Sequence, residues 1–263
     1  MRGPAALEMK GIVLAGGEGT RLRPVTRVVN KHLLPVYDRP MVFFPLDTLQ
    51  GMGISEVCVV LGGRDPEEVE EVVRAERWGF RRIDFVRQDC AAGIADALRC
   101  AREFAGNSPT CVILGDNILE DRLEPHAHTF LNSSEEARVF LTPVDDPERF
   151  GVPSFDQEGN ITAIMEKPTK ANSGYAVLGV YFYRAIVFEL LDLLTPSLRG
   201  ELEITDLNNH FARRHSLGHE ILKGFWGDAG TTEGLYRAAK YVRQSRTLIQ
   251  PVPTETANYS LEC

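Results

Sequence analysis

The sequence predicts an α/β fold: a single three-layer domain built on a mixed, mostly parallel sheet. Three observations carry that expectation. Short apolar runs such as Ile12-Val13-Leu14 and Val112-Ile113-Leu114 are apolar throughout rather than alternating, as strands covered on both faces must be. In the first half of the chain such runs alternate with amphipathic helical stretches, the rhythm of βαβ units joined by right-handed crossovers. After residue 137 the rhythm changes to strands with few helices between them, which should extend the sheet and add antiparallel pairs on one side.

The elements follow in order. Residues 11–14 form the first buried strand. Residues 40–51 read as a helix, with Met41, Phe44, Leu46 and Leu49 as its core face and Gly51 near its end. A β-branched strand is expected over 57–61, an acidic helix over 66–74 and a short strand over 83–87. Residues 92–104 carry Ile94, Ala97, Leu98, Ala101 and Phe104 at helical spacing, and 112–114 is a second buried strand. Strands are expected over 139–144, 151–155, 161–166 and 175–183, and helices over 185–194 and 204–215. A last helix over 231–245 has Thr231 or Thr232 as its cap. The tail from Gln250 has two prolines and no period, so it is expected to be loosely ordered.

Composition narrows the functional classes. The 263 residues carry a formal net charge of −8 and no basic cluster, a poor basis for binding nucleic acid. No hydrophobic segment reaches the ~18 residues of a membrane span, and Met1-Arg2-Gly3-Pro4 opens without the apolar core of a signal peptide. Cys58, Cys90, Cys100, Cys111 and Cys263 show no paired spacing, so free thiols in a reducing cytoplasm are expected.

The first strand breaks abruptly into Gly16-Gly17-Glu18-Gly19-Thr20-Arg21. Glycines at the carboxyl end of a strand let backbone N–H groups approach an anion closely. Arg21 follows at once and Lys31 comes ten residues later, so the loop is backed by two cations suited to phosphate. The dinucleotide fingerprint would need a third Gly or Ala where Leu22 stands, and Arg23-Pro24 interrupts the helix it requires. The Walker pattern fails as well, because no Gly-Lys-Ser/Thr closes the loop.

The stretch Leu14-Ala15-Gly16-Gly17-Glu18-Gly19-Thr20-Arg21-Leu22, followed by Lys31-His32-Leu33-Leu34-Pro35, resembles the signature of the sugar-1-phosphate nucleotidylyltransferases. Further matching blocks follow in the family's order: 114–117, 145–152, Glu166-Lys167-Pro168, 200–206 and 226–231. The resemblance runs from residue 9 to about 245, leaving 1–8 as an N-terminal extension and 246–263 as a C-terminal tail, partly disordered. It implies a Rossmann-like domain with its antiparallel additions on the sugar-binding side. The reaction implied is attack by a sugar-1-phosphate oxygen on the α-phosphorus of a nucleoside triphosphate, with dTTP and glucose 1-phosphate as the expected partners and loss of pyrophosphate. A homo-oligomer in the cytoplasm is also implied. A different triphosphate, a modified sugar phosphate or a silent nucleotide-sugar-binding protein are the alternatives. A silent protein would be expected to have lost Arg21, Lys31, Asp116 or Asp228, and all four are present.

The chemistry needs charge management more than a base, because the nucleophile is ionised at neutral pH. Arg21 and Lys31 suit the triphosphate, and Lys167 suits the sugar phosphate, with Arg199 as a weaker candidate. The resemblance marks Leu14, Gly16, Gly17, Gly19 and Thr20 as substrate-binding, with Gln88 and the backbone at Gly93 reading the base. A Gln amide offers a donor and an acceptor side by side, which suits a pyrimidine edge. Asn117, Gly151, Glu166 and Val177 match sugar contacts. Asp116 ends a buried strand, and with Asp228 it forms the pair that holds Mg2+ in the family; one or two carboxylates plus phosphate oxygens is how that ion is usually held. Trp226 reads as a packing residue.

Several positions depart from the family. Phe150 stands where longer members carry Tyr and His32 where they carry Gln, both as is usual in the short form, and Asp96 replaces Gln or His. Ser154 stands for Glu, Gly174 for Asn, Leu178 for Thr, and Met165 for the first Glu of Glu-Glu-Lys-Pro. If these positions line the sugar pocket, it has lost polar partners and should tolerate deoxy or amino sugars. The sequence stops short of the C-terminal helices that form an allosteric site in longer members, so feedback by that route is not expected.

Overall fold

The computed structural model describes residues 7–197 and 199–249. In chain order the strands are β1 (Lys10–Ala15), β2 (Pro35–Val36), β3 (Arg39–Pro40), β4 (Glu56–Leu61), β5 (Arg82–Arg87), β6 (Thr110–Leu114), β7 (Asn117–Leu119), β8 (Ala137–Pro143), β9 (Gly151–Phe155), β10 (Ile161–Glu166), β11 (Tyr175–Tyr183), β12 (Leu217–Ile221) and β13 (Trp226–Asp228). The helices are α1 (Phe43–Gly51), α2 (Pro66–Ala75), α3 (Ile94–Cys100), α4 (Arg102–Ala105), α5 (Glu124–Leu131), α6 (Val187–Leu191), α7 (Ile204–Arg213) and α8 (Thr232–Ile249).

A nine-stranded mixed sheet runs β10-β9-β11-β6-β1-β4-β5, with β8 pairing β11 and β12 pairing β8. The β6-β1-β4-β5 half is parallel, whereas β11 is antiparallel to β6, β8 and β9. The parallel half and its antiparallel extension are therefore as the sequence predicts.

The pleat sends successive side chains of β1 to opposite faces. Ile12 and Leu14 join the layer under α3, α6 and α7, together with Leu98, Phe188 and Phe211. Val13 and Ala15 join the layer under α1, α2 and α5, with Leu46, Val69 and Phe130. A third cluster holds Leu22, Leu34, Val36, Ile118, Ala238 and Val242, and seats α8 on the short 3₁₀ turns after β1. Two-sided coverage explains why the parallel strands are apolar throughout.

Several boundaries differ from expectation. The first helix begins at Phe43, not at residue 40. The helix over 92–104 starts only at Ile94, because Gly93 takes φ 105, and breaks at Ala101 into α3 and α4. The helix over 185–194 shrinks to α6. The last helix is capped by Thr231, whose Oγ1 accepts from Gly234 N at 3.0 Å, and it continues past 245 to Ile249, so its last residues include the start of the predicted tail. The disorder expected from Gln250 onward, and residues 1–6 of the extension, lie outside the described residues; Leu7 is buried in the α1 layer. Sequence reasoning missed β7, β12, β13 and α5. β7 and β13 have three residues each and exist through pairing with one another, and α5 carries only Ala127 and Phe130 inward.

Candidate active site

The parallel strands end on one edge, and their following loops supply the site, as expected of an open α/β sheet. Gly16 and Gly17 follow β1, Gly62 and Gly63 follow β4, Gln88 follows β5 and Asp116 follows β6. The first two loops touch backbone to backbone: a Cβ on Gly63, whose φ is +77, would lie 2.5 Å from the Gly17 carbonyl oxygen. Between them and Gln88 is a slot of about 230 Å³, lined by Gly17, Gly62, Gly63, Arg87, Gln88 and Asp89. Gln88 Nε2 donates to Gly93 O at 3.1 Å and to Asp96 Oδ2 at 2.8 Å, and its Oε1 faces Gly16. Gly93 is needed where it stands, because a Cβ there would lie 2.5 Å from Leu202 O.

A second cavity, about 150 Å³, lies across the β1 loop, bounded by Arg21, Asp116, Gly151, Glu166, Lys167 and Asp228 among others. The pairing of β13 with β7 sets Asp228 opposite Asn117, and Ala229 N donates to Asp116 O at 2.9 Å. Residues far apart in the chain thus place two carboxylates side by side. Gly230 marks their meeting point: a methyl group there would stand 2.8 Å from Asp228 Oδ1, 2.9 Å from Asp116 Oδ2 and 2.9 Å from Arg21 Nη2. Two convergent carboxylates leave most of a coordination sphere for water and phosphate oxygens, which fits magnesium. Among the described residues no third acidic, His or Cys ligand joins them.

Lys31 Nζ sits 2.8 Å from Asp116 Oδ2, with the two side chains 14% and 8% exposed. Burial pushes the Asp116 carboxyl up, but the Lys31 ammonium and its hydrogen bond outweigh this and hold it well below the usual carboxylate range. Asp228 moves the other way, raised by burial and by the Asp116 charge. Arg21, 57% exposed, reaches toward Asp228 at 3.9 Å from the open side. His32 is buried beneath Asp116; burial and then Lys31 lower its pKa to about 3, so its ring is neutral, with Nδ1 on Asn30 Oδ1 at 3.1 Å. Its Nε2 has no partner, and a Cβ on Gly115 would lie 2.6 Å from the ring.

On the far wall, Glu166 Oε2 accepts from Thr205 Oγ1 at 2.9 Å, and Oε1 is 3.1 Å from Lys167 Nζ. Lys167 has φ 44, a left-handed conformation unusual for a side-chain-bearing residue, and its N–H bonds Phe150 O at 2.9 Å. Val177 pairs with Gly151 in the sheet and both face the cavity. Asn117 lines it, but its Oδ1 already accepts from Gly179 N and Trp226 Nε1, and its Nδ2 donates to Asp116. It is therefore a brace of the site with one amide hydrogen to spare. Trp226 packs edge-on against Phe150, in keeping with a packing role.

Some expected residues fall elsewhere. Leu14 is buried in the core, and its carbonyl is occupied by Gly115 N. Thr20 lies exposed in a 3₁₀ turn, and Gly19 folds back on Thr26, whose Oγ1 bonds its carbonyl at 2.7 Å. Arg199 is paired with Glu203 at 2.9 Å and does not line the cavity. Of the altered positions, Phe150 lines it, but Leu178, Met165, Gly174 and Ser154 do not. Leu178 is fully buried in the opposite layer, Met165 is 52% exposed, Gly174 faces open space and Ser154 bonds Asn172. Cleft-facing residues that the sequence reading missed are Arg149, Tyr181, Thr205 and Asn208. Tyr181 follows Val177 and Gly179 at a period of two, and Thr205 and Asn208 are three apart on α7, patterns that register and helix phase could have exposed. A larger groove of about 780 Å³ lies at the other end of β1, but two of its basic side chains are already engaged, Lys10 with Phe104 O and Glu56, and Arg184 with the carbonyls of Phe130 and Ser133.

A parallel sheet whose strand ends present a glycine loop, two cations and two facing carboxylates defines a nucleotidyltransferase. The chain belongs to the nucleotidyl transferase family, whose sequence model matches residues 10–245. It is 41% identical over 244 residues to the glucose-1-phosphate thymidylyltransferase of Neisseria gonorrhoeae, covering 89% of this chain and 83% of that one. The enzyme of the same name from Actinoplanes sp. is also 41% identical over 244 residues, covering 89% and 78%. Among solved structures, the sucrose complex of a Bacillus anthracis protein assigned as glucose-1-phosphate thymidylyltransferase superposes with a TM-score of 0.83 at 43% identity, covering 89% and 95%. A UDP-glucose pyrophosphorylase bound to UDP-glucose superposes with a TM-score of 0.79 at 25% identity, covering 90% and 99%.

Proposed function

We propose that this enzyme transfers dTMP from dTTP to glucose 1-phosphate, giving dTDP-glucose and pyrophosphate. The observation that carries the reading is the meeting of Arg21, Asp116 and Asp228 at the Glu166 cavity, with Lys31 set between Asp116 and Gly17 of the Gln88 slot. The names of the relatives support the substrate pair. In this reading the thymine lies in the slot against Gln88 and Gly93, and the triphosphate crosses the Gly16–Gly17 turn. The hexose lies against Gly151, Glu166 and Val177.

A phosphate oxygen of the sugar forms a bond to the α-phosphorus, and the bond from that phosphorus to the bridging oxygen of pyrophosphate breaks. No proton moves to or from the protein. Arg21 grips triphosphate oxygens in its planar fork, Lys31 neutralises charge beside the glycine loop, and Lys167 draws in the sugar phosphate. These fixed cations oppose the repulsion between two polyanions and stabilise the leaving group. Asp116 and Asp228 would hold Mg2+, which when bound supplies further positive charge to the phosphate oxygens. No described helix is long and apolar enough to cross a membrane. A cytoplasmic homo-oligomer belongs to the same reading, and light scattering of the purified protein tests the assembly.

The test is pyrophosphate release from a panel of four triphosphates and several sugar 1-phosphates, with magnesium and with chelator. Release that is fastest with dTTP and glucose 1-phosphate and vanishes with chelator is expected. Faster turnover of ATP or GTP than of dTTP refutes the assignment.

A further inference from the structure

We infer that Asp96 is a positioning residue that fixes which end of the Gln88 amide meets the base, and so makes the slot select pyrimidines with an N3–H donor. The inference rests on Gln88 facing the base, as in the proposed function. A glutamine amide has two N–H donors on one atom and an acceptor on the other, and either end can point into a site. Here both donors of Nε2 are spent on groups that only accept: Asp96 Oδ2 at 2.8 Å and Gly93 O at 3.1 Å. The acceptor Oε1 is left on the side of Gly16, 3.1 Å from where a Cβ on that glycine would stand. Turning the amide over would press Oε1 against a carboxylate and a carbonyl and leave two donors without partners.

The carboxylate is itself held. Asp96 is 8% exposed, lies in the first turn of α3, and its Oδ1 is bound by Arg99. An acidic residue there would ordinarily serve the helix N-terminus and an i,i+3 pair with Arg99. That role accounts for Oδ1, but not for Oδ2 turned to Gln88. One oxygen is anchored, and the other dictates the polarity of the neighbouring amide.

The consequence for the base is direct. Thymine and uracil carry N3–H, which Oε1 can accept. Neutral cytosine carries a bare N3, which would meet Oε1 lone pair to lone pair. A site built around a fixed hydrogen-bond partner rejects a ligand that lacks the matching group far better than apolar contact can.

The experiment compares kcat/KM for dTTP, UTP and dCTP in the wild type, Asp96→Asn, Asp96→Ala and Gln88→Ala, each checked for folding by thermal melting. In Asp96→Asn, with Arg99 still on the oxygen, the new amide donor faces Gln88 and favours the turned orientation. The dTTP:dCTP ratio should fall at least about tenfold, the scale of one charge-assisted hydrogen bond, while dTTP:UTP stays put because both bases carry N3–H. Asp96→Ala removes one of two constraints and should fall between. A purely structural Asp96 would lower all three substrates alike. If Gln88→Ala keeps the wild-type dTTP:dCTP ratio, Gln88 does not read the base and the underlying reading fails. If Gln88→Ala lowers that ratio but folded Asp96→Asn and Asp96→Ala keep it, the base reading stands and the role given to Asp96 is overturned.

Discussion

Replacing Lys31 with Ala leaves the Asp116 carboxylate buried, unpaired and close to Asp228. Removing one partner of a buried ion pair costs about 3–5 kcal/mol, because the other charge loses water without gaining compensation. Both side chains keep slight solvent contact, which argues for the lower end, about 3 kcal/mol. In a domain of this size that corresponds to a fall in Tm on the order of 6–12 °C. The dependence on pH follows from the direction of each shift. In the wild type the folded Asp116 carboxyl titrates below its unfolded value of about 3.9, so its pairing stabilises at higher pH and is lost only as pH falls through the lower folded value. Without Lys31 the main influences opposing burial are gone, so the carboxyl should move up and the variant should lose less stability than the wild type as acid protonates it. The gap between wild type and variant should therefore be widest near neutrality and narrow toward about pH 4. Denaturant melts followed by circular dichroism, with chelator and without nucleotide, measure it at each pH. A gap below about 1 kcal/mol at neutral pH, or one that widens on acidification, would refute the reasoning.

Three further outcomes are expected. Asp228→Asn removes half of the carboxylate pair and should raise the magnesium concentration for half-maximal rate at least about tenfold in initial-rate assays. Gly63→Ala must fit a Cβ 2.5 Å from Gly17 O at φ +77; melting should report a loss of about 1–3 kcal/mol, and KM for the triphosphate should rise as the Gly17 turn is displaced. Leu178→Ala should cost about 2–5 kcal/mol of stability while the relative kcat/KM for glucose and glucosamine 1-phosphates stays at the wild-type value, since Leu178 packs in the layer away from the cavity.

What was legible in the sequence was what neighbours along the chain decide. The run of apolar residues into Gly16 and Gly17, the cations at Arg21 and Lys31, and the strand ending at Asp116 each announce themselves within a few residues. The bounds of β9, β10 and β11 are as predicted, because period-two patterning and flanking Gly and Pro act locally. What was not legible depends on contacts between distant segments. β7 and β13 are too short to signal alone, yet their pairing is what sets Asp228 beside Asp116. The left-handed backbone at Lys167 has no mark in the sequence at all.

The sugar side shows how a correct strand can still yield a wrong site. Residues 175–183 form one strand, as the sequence predicts, but the positions on it and near it that differ from the family do not share one lining. A strand presents alternate residues to opposite layers. Val177, Gly179 and Tyr181 face the cavity, so Leu178 between them must face α5, among Phe130 and Phe182. Exchanging its side chain alters core packing and leaves the cavity wall unchanged. Glu166 illustrates the same rule from β10: it faces the cavity, and its neighbour Met165 points to solvent. The departures at Leu178 and Met165 therefore remove no polar group from the wall formed by Gly151, Glu166 and Thr205. Of the other departures, Phe150 lines the cavity itself and Asp96 bonds Gln88 directly. Whether a departure reaches the cavity is thus decided by which side chains share a face and not by how near they lie in sequence.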